Sequence, residues 1–362
     1  MSGRPRAREA GIVIGAMPPG PVNAITDVPG VRVGHTTLVE GDAVRTGVTV
    51  ILPHEGNAWE EPVFAAPHRL NGNGELTGLE WIRDCGMLTS PIGLTNTHSV
   101  GTVRDALIAA EVARRTGGGD FWSLPVVGET WDGVLNDLNG QHVRPEHVAE
   151  ALERASAGPV EEGAVGSGTG MICHGFKGGI GTASRVVEES GGATVGVLVQ
   201  ANYGRRERLR INGVPVGELL QDVPAPGAGA GSIIAILATD APLLPLQCGR
   251  LAQRVGLGLA RVGGVGENYS GDIFLAFATG NRGLPSGDIG GSSPMRIPLA
   301  MLSDRFITPL FDAVVEATEE AILNALFAAE TVTGCGATAF ELPVDRVVEI
   351  LESRGALEGG VR

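Results

Sequence analysis

Apolar runs alternate with short polar and glycine-rich turns along most of the chain, and the spacing within these runs predicts both strands and helices. Short runs rich in valine and isoleucine are typical of buried strands. They occur in segments 24–38, 46–53, 90–97, 124–132, 193–202, 232–239 and 272–281. Apolar residues spaced by one helical turn predict helices within segments 71–88, 100–115, 145–158, 243–263, 305–334 and 343–355. Alternation of strand groups with helices indicates a layered α/β or α+β body.

Segment 223–240 joins a stretch of proline, glycine and alanine to an unbroken apolar run that begins at Ser232. The prolines cannot continue a helix or a central strand, and the glycines give the backbone freedom, so the stretch predicts a linker before a buried strand. A serine at the start of a core strand, behind a segment that can be cut, fits an N-terminal-nucleophile hydrolase. Cutting the Gly231–Ser232 bond frees an α-amine whose unperturbed pKa of about 7.7 to 8.0 suits it to act as base for the serine hydroxyl. The same residues are also compatible with an ordinary linker before a strand.

Composition narrows the function classes. The 362 residues are 43% hydrophobic, which is enough for a substantial core, and the 56 glycines are scattered without a repeat, which predicts many tight turns. The net charge of −14 argues against nucleic acid as a partner, because phosphate binding relies on clustered lysine and arginine. The one arginine-rich run, 205–210, is predicted to be a solvated hairpin.

Cysteine and histidine positions give no sign of a disulfide framework or a metal site. The four cysteines are far apart in sequence, with no paired spacing, so they are predicted to be reduced core thiols of a cytoplasmic protein. No H-E-x-x-H or similar ligand set occurs, and His174 beside Cys173 is predicted to be a packed pair. No secretory signal or membrane-spanning run is evident. We therefore expect no metal, no cofactor and no membrane partner.

The glycine-rich segment 163–185 contains a G-x-G-x-G pattern that is similar to a phosphate-binding loop. The match is poor, because Lys177 lacks the G-K-[ST] context and no long helix follows. We predict a glycine-rich hairpin. A non-catalytic protein that binds an anionic ligand through these loops stays open as an alternative.

Ten blocks in one order, between residues 24 and 343, resemble the self-processing aminopeptidases. This family includes the L-aminopeptidase/D-esterase-amidases and the β-peptidyl aminopeptidases, with ornithine acetyltransferase as a distant relative. The blocks are AITDVPGVRVGHTTL, TGVTVILPH, GLTNTHSVGTV, VVGET, PVEEGAVGSGTGM, GFKGGIGTASR, VGVLVQANYG, GSIIAILATDAPLLP, SGDIFLAFATGN and EAILNALFAAETVTG.

The resemblance implies an α+β fold, a four-layer αββα sandwich that forms a single catalytic unit over residues 1–362. It also implies cleavage of an inactive precursor into an α chain, 1–231, and a β chain, 232–362. Pairs of α and β chains are expected to assemble into homo-oligomers, with a tetramer favoured by the resemblance.

Carried over residue by residue, the resemblance makes Ser232 the nucleophile of self-cleavage and of catalysis. Gly231 becomes the last residue of the α chain. The Ser-Gly-Glu/Asp element of the family falls on Ser270 and Asp272, whose hydroxyl and carboxylate are expected beside the nucleophile and its amine. A carboxylate there stabilises the ammonium that forms when the amine acts as base. Asn202, at the end of a predicted strand, is the expected oxyanion donor.

Substrate binding is expected around the G-E-T block. Glu129 is predicted to face the free amine of the substrate, with Trp131 close by. An aromatic residue, often tyrosine, is expected after the Asp-Gly of this block, but this chain has Val134 there. The role that the resemblance gives to a tyrosine at this position is therefore unassigned in this chain.

These residues predict a serine aminopeptidase that hydrolyses amide or ester bonds after a small, free N-terminal α- or β-amino acid through an acyl-Ser232 intermediate. Hydrolysis of linear amide oligomers is one alternative. Acyl transfer of the ornithine acetyltransferase kind is another, against which Ser232 counts because that branch uses a threonine nucleophile.

Overall fold

The computed structural model describes residues 3–115, 121–226, 231–285 and 294–357. The strands in these residues are β1 (Arg32–Glu40), β2 (Val44–Leu52), β3 (Val63–Arg69), β4 (Met87–Leu88), β5 (Ile92–Asn96), β6 (Val126–Thr130), β7 (Ile172–Cys173), β8 (Phe176–Lys177), β9 (Gly179–Val187), β10 (Ala193–Asn202), β11 (Ser232–Thr239), β12 (Asp272–Ala278), β13 (Val332–Gly334) and β14 (Ala337–Ala339). The helices are α1 (Leu79–Cys85), α2 (Val100–Arg114), α3 (Pro145–Glu153), α4 (Pro245–Arg261), α5 (Thr308–Ala328) and α6 (Val344–Ser353).

Two sheets carry the architecture. The smaller has the strand order β1-β2-β5-β6, and the larger has the order β4-β3-β12-β11-β10-β9. Most neighbours pair antiparallel, but β5 pairs parallel with β6 and β11 pairs parallel with β12. The start of β11 therefore lies beside the start of β12 and the end of β10.

Apolar residues on alternate positions of the larger sheet fill two separate cores. In β11, Ile233, Ala235 and Leu237 belong to the core shared with α4 and α5, whereas Ile234 and Ile236 belong to the core between the sheets. A third core lies between the smaller sheet and helices α2 and α3. The layers are thus helix, sheet, sheet and helix, and the αββα sandwich expected from the resemblance is confirmed.

The glycine-rich segment 163–185 is more regular than expected. It contains the short hairpin β7–β8 and then β9, a nine-residue edge strand of the larger sheet. Helix α5 packs directly on this strand, and a Cβ built at Gly181 would lie 2.0 Å from the carbonyl oxygen of Ala321. Glycine is needed there because the helix backbone approaches the strand backbone closely. The sequence pattern indicated the turns but not this helix-to-strand contact.

Within segment 124–132, β6 runs without a break through Gly128 to Thr130. No helix in the described ranges is long and apolar enough to cross a membrane.

Candidate active site

Ser232 is the first residue of β11 and is almost fully buried. Because side chains alternate along a strand, Ser232 is on the same face as Ile234 and Ile236, toward the smaller sheet. Its Oγ accepts a hydrogen bond of 2.9 Å from the backbone N–H of Gly271. Asn202 on β10 is its direct partner in the antiparallel pairing. Strand register thus brings together residues far apart in sequence.

Gly231 lies against the backbone of the neighbouring strand end. A Cβ built there would be 2.4 Å from the carbonyl oxygen of Asn202 and 2.6 Å from Cα of Tyr203. Glycine is therefore the residue that allows the Gly231–Ser232 bond to approach this backbone. Of the glycines predicted to give the linker its freedom, Gly227 and Gly229 lie outside the described residues.

Ser270 and Asp272 form a closely coupled pair beside the start of β11. The Ser270 hydroxyl donates to Oδ1 of Asp272 at 2.5 Å, and Asp272 also accepts a hydrogen bond from the backbone N–H of Ile233. Burial raises the pKa of the Asp272 carboxyl above its usual value, while these two hydrogen bonds lower it and the charge of Glu267 adds to the increase. Asp272 therefore contacts the backbone N–H of Ile233, the residue that follows Ser232 in β11.

Asn202 is buried and its amide has a fixed orientation. Oδ1 accepts from the backbone N–H of Ile172 at 2.7 Å, and Nδ2 donates to the carbonyl oxygen of Trp131 at 2.8 Å. Nδ2 carries a second hydrogen, so the group retains one donor. The predicted oxyanion donor thus lies beside Ser232 with its amide orientation set by two backbone groups.

Glu129, near the end of β6, is buried, and both of its carboxylate oxygens are hydrogen-bonded within the protein. Its Oε1 accepts from the backbone N–H of Glu75 at 2.9 Å, and its Oε2 accepts from the Thr97 hydroxyl at 2.5 Å. Burial raises the pKa of the Glu129 carboxyl, and these two hydrogen bonds oppose that increase. Only 4% of the residue is exposed.

A loop at 70–75, which sequence reasoning did not include in the site, connects Glu129 to the Ser270–Asp272 pair. Asn73 donates its backbone N–H to the carbonyl oxygen of Ser270 at 3.2 Å. A Cβ at Gly74 would be 2.9 Å from Cα of Gly271 and 3.1 Å from Oε1 of Glu129. The contact of this loop with Gly271 depends on tertiary structure, so local sequence does not reveal it.

A cavity of about 740 Å³ opens beside the Gly231–Ser232 bond. Its lining includes Gly231, Asn202, Ser270 and Asp272, together with Trp131 and Val134. Glu129 is not part of this lining and lies behind the contact of Gly74 with Gly271. At position 134 the wall is aliphatic, where the resemblance leads to the expectation of an aromatic ring.

The prediction of a solvated hairpin at 205–210 is wrong for Arg206, which is buried in the cavity wall. Its guanidinium donates to the carbonyl oxygens of His174, Leu220, Val223 and Gly175 and stacks over the Phe176 ring, 3.5 Å from its centre. Burial lowers the pKa of Arg206 to about 10. Four neutral acceptors satisfy this charge, an arrangement that the run of arginines in the sequence does not reveal.

Lys177 is also buried, in the segment considered for phosphate binding. Its ammonium group donates to the carbonyl oxygens of Gly168, Met171 and Gly178 at 3.0, 2.8 and 2.7 Å. An ammonium group has three donors, so none is left for a phosphate. Burial lowers the pKa of Lys177 to about 7. The anion-binding alternative therefore has no free lysine in this segment.

Cys173 and His174 are both fully buried, as expected for a packed pair. Cys248 is buried as well, but the prediction of core thiols is wrong for Cys85, which is partly exposed, and for Cys335, which is exposed. Within the residues that the structure describes, no three histidine, cysteine, aspartate or glutamate side chains come together as a metal ion would require.

The chain was compared with known families and curated proteins. The sequence pattern of peptidase family S58 matches residues 23–339. A β-peptidyl aminopeptidase of Sphingosinicella microcystinivorans is 46% identical over 96% of this chain and 92% of its own length. A second, from Sphingosinicella xenopeptidilytica, is 41% identical over 97% of this chain and 92% of its own length.

Solved structures are similar over nearly the whole chain. A β-aminopeptidase of Burkholderia sp. has 57% sequence identity and a TM-score of 0.93, covering 97% of this chain and 99% of its own. The L-aminopeptidase D-Ala-esterase/amidase of Ochrobactrum anthropi has 43% identity and a TM-score of 0.90, covering 98% and 100%. That protein is described as a prototype for the serine aminopeptidases and a variant of the N-terminal-nucleophile hydrolase fold.

Proposed function

The chain belongs to peptidase family S58, and from that premise we propose that it becomes active by cutting its own Gly231–Ser232 bond and then uses Ser232 as nucleophile. The predicted membership of the self-processing aminopeptidases is confirmed, and the protein is an aminopeptidase of the N-terminal-nucleophile serine type. The observation that supports our proposal best is the position of Ser232 at the start of β11, with Gly271 N–H on its Oγ and the Ser270–Asp272 pair next to its backbone.

Self-cleavage starts when Oγ of Ser232 attacks the carbonyl carbon of Gly231. The C–N bond breaks, the nitrogen takes up the hydroxyl proton, and an ester joins Gly231 to Ser232 Oγ. Water then hydrolyses this ester, leaving a carboxylate on Gly231 and a free α-amine on Ser232. The α chain is residues 1–231 and the β chain is residues 232–362.

Peptide hydrolysis uses the new amine as general base. It takes the proton of the Ser232 hydroxyl while Oγ attacks the substrate carbonyl, and it passes the proton to the leaving amine as the acyl-serine forms. The charge of Asp272 stabilises the transient ammonium, and Ser270 fixes the carboxylate through its 2.5 Å hydrogen bond. The free hydrogen of Asn202 Nδ2 is proposed to donate to the developing oxyanion. Water then releases the acid by the reverse proton path.

Substrate recognition is proposed to involve three residues. Glu129 attracts the free ammonium group of the substrate through its charge from behind the cavity wall, while Trp131 and Val134 in the cavity lining pack against the substrate's small N-terminal residue. The similar proteins are named for β-peptides, L-amino-acid peptides and D-Ala esters and amides. For this chain we propose small α- or β-amino acid peptides, amides and esters with a free amine.

Activity is expected to rise with pH through one ionisation, that of the Ser232 α-amine, because only the neutral amine accepts a proton. A nearby carboxylate favours the ammonium form, so Asp272→Asn should move this rise to lower pH and reduce the plateau rate. The measurement is kcat/KM against pH for both proteins. Asp240→Asn is the matched control, because Asp240 directly follows β11 at the end opposite Ser232, and it should leave the midpoint in place. An unchanged midpoint in Asp272→Asn would remove that residue from the amine's surroundings.

The αβ units are further proposed to form homo-oligomers, with a tetramer favoured by the resemblance. Segment 294–306 supports this, because Met295, Leu299, Met301 and Phe306 are exposed on it, Met295 to 98%. Exposed apolar groups concentrated in one region are typical of protein interfaces. Light scattering on the purified protein should give a mass several times 37.2 kDa. A mass of one chain pair would contradict this proposal.

A further inference from the structure

The cavity beside Ser232 contains two neighbouring arginines in very different states. Arg206 has its guanidinium fully engaged by backbone carbonyls. Arg205 has a side chain that is 61% exposed, and its one ion pair joins Nε to Oε1 of Glu267 at 3.0 Å. Among the described residues, the Arg205 guanidinium makes no contact beyond this ion pair of its Nε, so both Nη nitrogens are without a partner. Arg205 lines the cavity, and its exposed side chain leaves both Nη nitrogens available to a ligand there.

On the basis of the function proposed above, we infer that Arg205 binds the C-terminal carboxylate of the substrate's leaving group, so that short free peptides are the preferred substrates. Arginine recognises carboxylates through two parallel N–H···O bonds, which makes the interaction both strong and directional.

Local charge supports this assignment. Oε1 of Glu267 also accepts from Nη1 of Arg208 at 2.7 Å, so one carboxylate is shared between two guanidinium groups. The lining also contains the acids Glu207 and Asp272, and the four hydrogen-bond partners of Arg206 are neutral. Because Glu267 is shared with Arg208, it neutralises Arg205 only in part, and an additional carboxylate can pair with the Arg205 guanidinium.

The position of Arg205 also fits the direction of the substrate. The amine end is assigned to Glu129 and Trp131, which the end of β6 positions in the smaller sheet. Arg205 follows β10 of the larger sheet, and the loop 263–269 after α4 forms the adjoining wall. A free peptide has a positive amino end and a negative carboxyl end. Glu129 behind the cavity wall and Asp272 in its lining can attract the amino end, and the Arg205 guanidinium can bind the carboxyl end.

The test compares the dipeptide alanyl-phenylalanine with its C-terminal amide. The comparison is made once with L-alanine and once with β-alanine at the amino end. The two substrates share the scissile bond and differ in one charge. We expect wild-type kcat/KM to be about tenfold higher for the free acid, and Arg205→Gln to bring the ratio of acid to amide close to one. Arg205→Lys keeps the charge but loses the paired nitrogens and should give an intermediate ratio.

A second variant is expected to act in the opposite direction. Glu267→Gln removes the internal anion that competes for Arg205, so the ratio of acid to amide should rise above the wild-type value. Arg210→Gln is the matched control, since Arg210 pairs with Glu218 and is not part of the cavity lining. Its ratio should equal that of the wild type.

Equal ratios in wild type and Arg205→Gln would overturn the inference, and so would an equal loss on both substrates, which indicates a structural role. The amide substrate distinguishes failure of this inference from failure of the proposed function. An enzyme that cleaves the amide without preferring the acid still acts as an aminopeptidase, whereas wild-type enzyme that cleaves neither substrate contradicts the proposed function itself.

Discussion

Ser232→Ala is expected to remain one continuous chain and to lose hydrolysis of every substrate that the wild type cleaves. One hydroxyl serves both reactions in this account, so its removal stops the ester from forming at Gly231 and the acyl-enzyme from forming with substrate. Loss of a serine nucleophile in other hydrolases costs on the order of 10⁶ in kcat. A denaturing gel and a progress curve on the same preparation measure both effects.

The variant should fold normally, because the change removes one hydrogen bond, from Gly271 N–H, and leaves no large cavity. Its melting temperature therefore serves as the control. Ser232→Cys retains a nucleophile and is expected to be cut, which separates the loss of chemistry from a packing defect. Cleavage or undiminished turnover in Ser232→Ala would assign the nucleophile to another residue.

Glu129→Gln is expected to weaken hydrolysis of substrates with a free amine by more than tenfold while self-cleavage continues. Two opposite charges about 4 Å apart attract by about 4 kcal/mol at an effective dielectric constant of 20, before desolvation is subtracted. Half of that exceeds the 1.4 kcal/mol that corresponds to a factor of ten. Self-cleavage involves no substrate amine, so it provides the internal control.

Glutamine fits the surroundings of Glu129 without loss of either hydrogen bond. Its oxygen can accept from Glu75 N–H, and its amide nitrogen can donate to the Thr97 hydroxyl, which is both donor and acceptor. The measurement is kcat/KM for alanine p-nitroanilide and its N-acetylated form. Wild-type enzyme should leave the acetylated form nearly uncut. Equal rates on both forms would indicate a general amidase, and an unchanged preference in the variant would transfer the role to Asp272, which does line the cavity.

Local sequence predicted β10 and β11, because runs 193–202 and 232–239 are apolar enough to specify burial on both faces, but it missed β3 and β9 of the same sheet. It also identified a serine at the start of a strand. The assembly of the site depends on register, which pairs Asn202 with Ser232 and places Asp272 opposite Ile233. That pairing is fixed by long-range contacts, which no single segment encodes.

Buried charges were the features that sequence reasoning missed. Arg206 and Lys177 look like solvent-exposed residues in the sequence, but each is satisfied by backbone carbonyls from other loops. The enclosure of Glu129 has the same origin, since Thr97 and Glu75 come from two other segments. Burial of a charged residue is favourable only where other segments supply its hydrogen-bond partners. Local sequence does not show those partners, so it does not reveal such an arrangement.

The most direct test of self-cleavage at Gly231–Ser232 is the intact mass of active, denatured wild-type protein, combined with sequencing of its amino ends. The account predicts two chains, residues 1–231 and 232–362, whose masses together exceed the full-length mass by one water, with serine at the new amino end. One chain of 37.2 kDa in fully active enzyme would contradict it, as would a cut at any other bond.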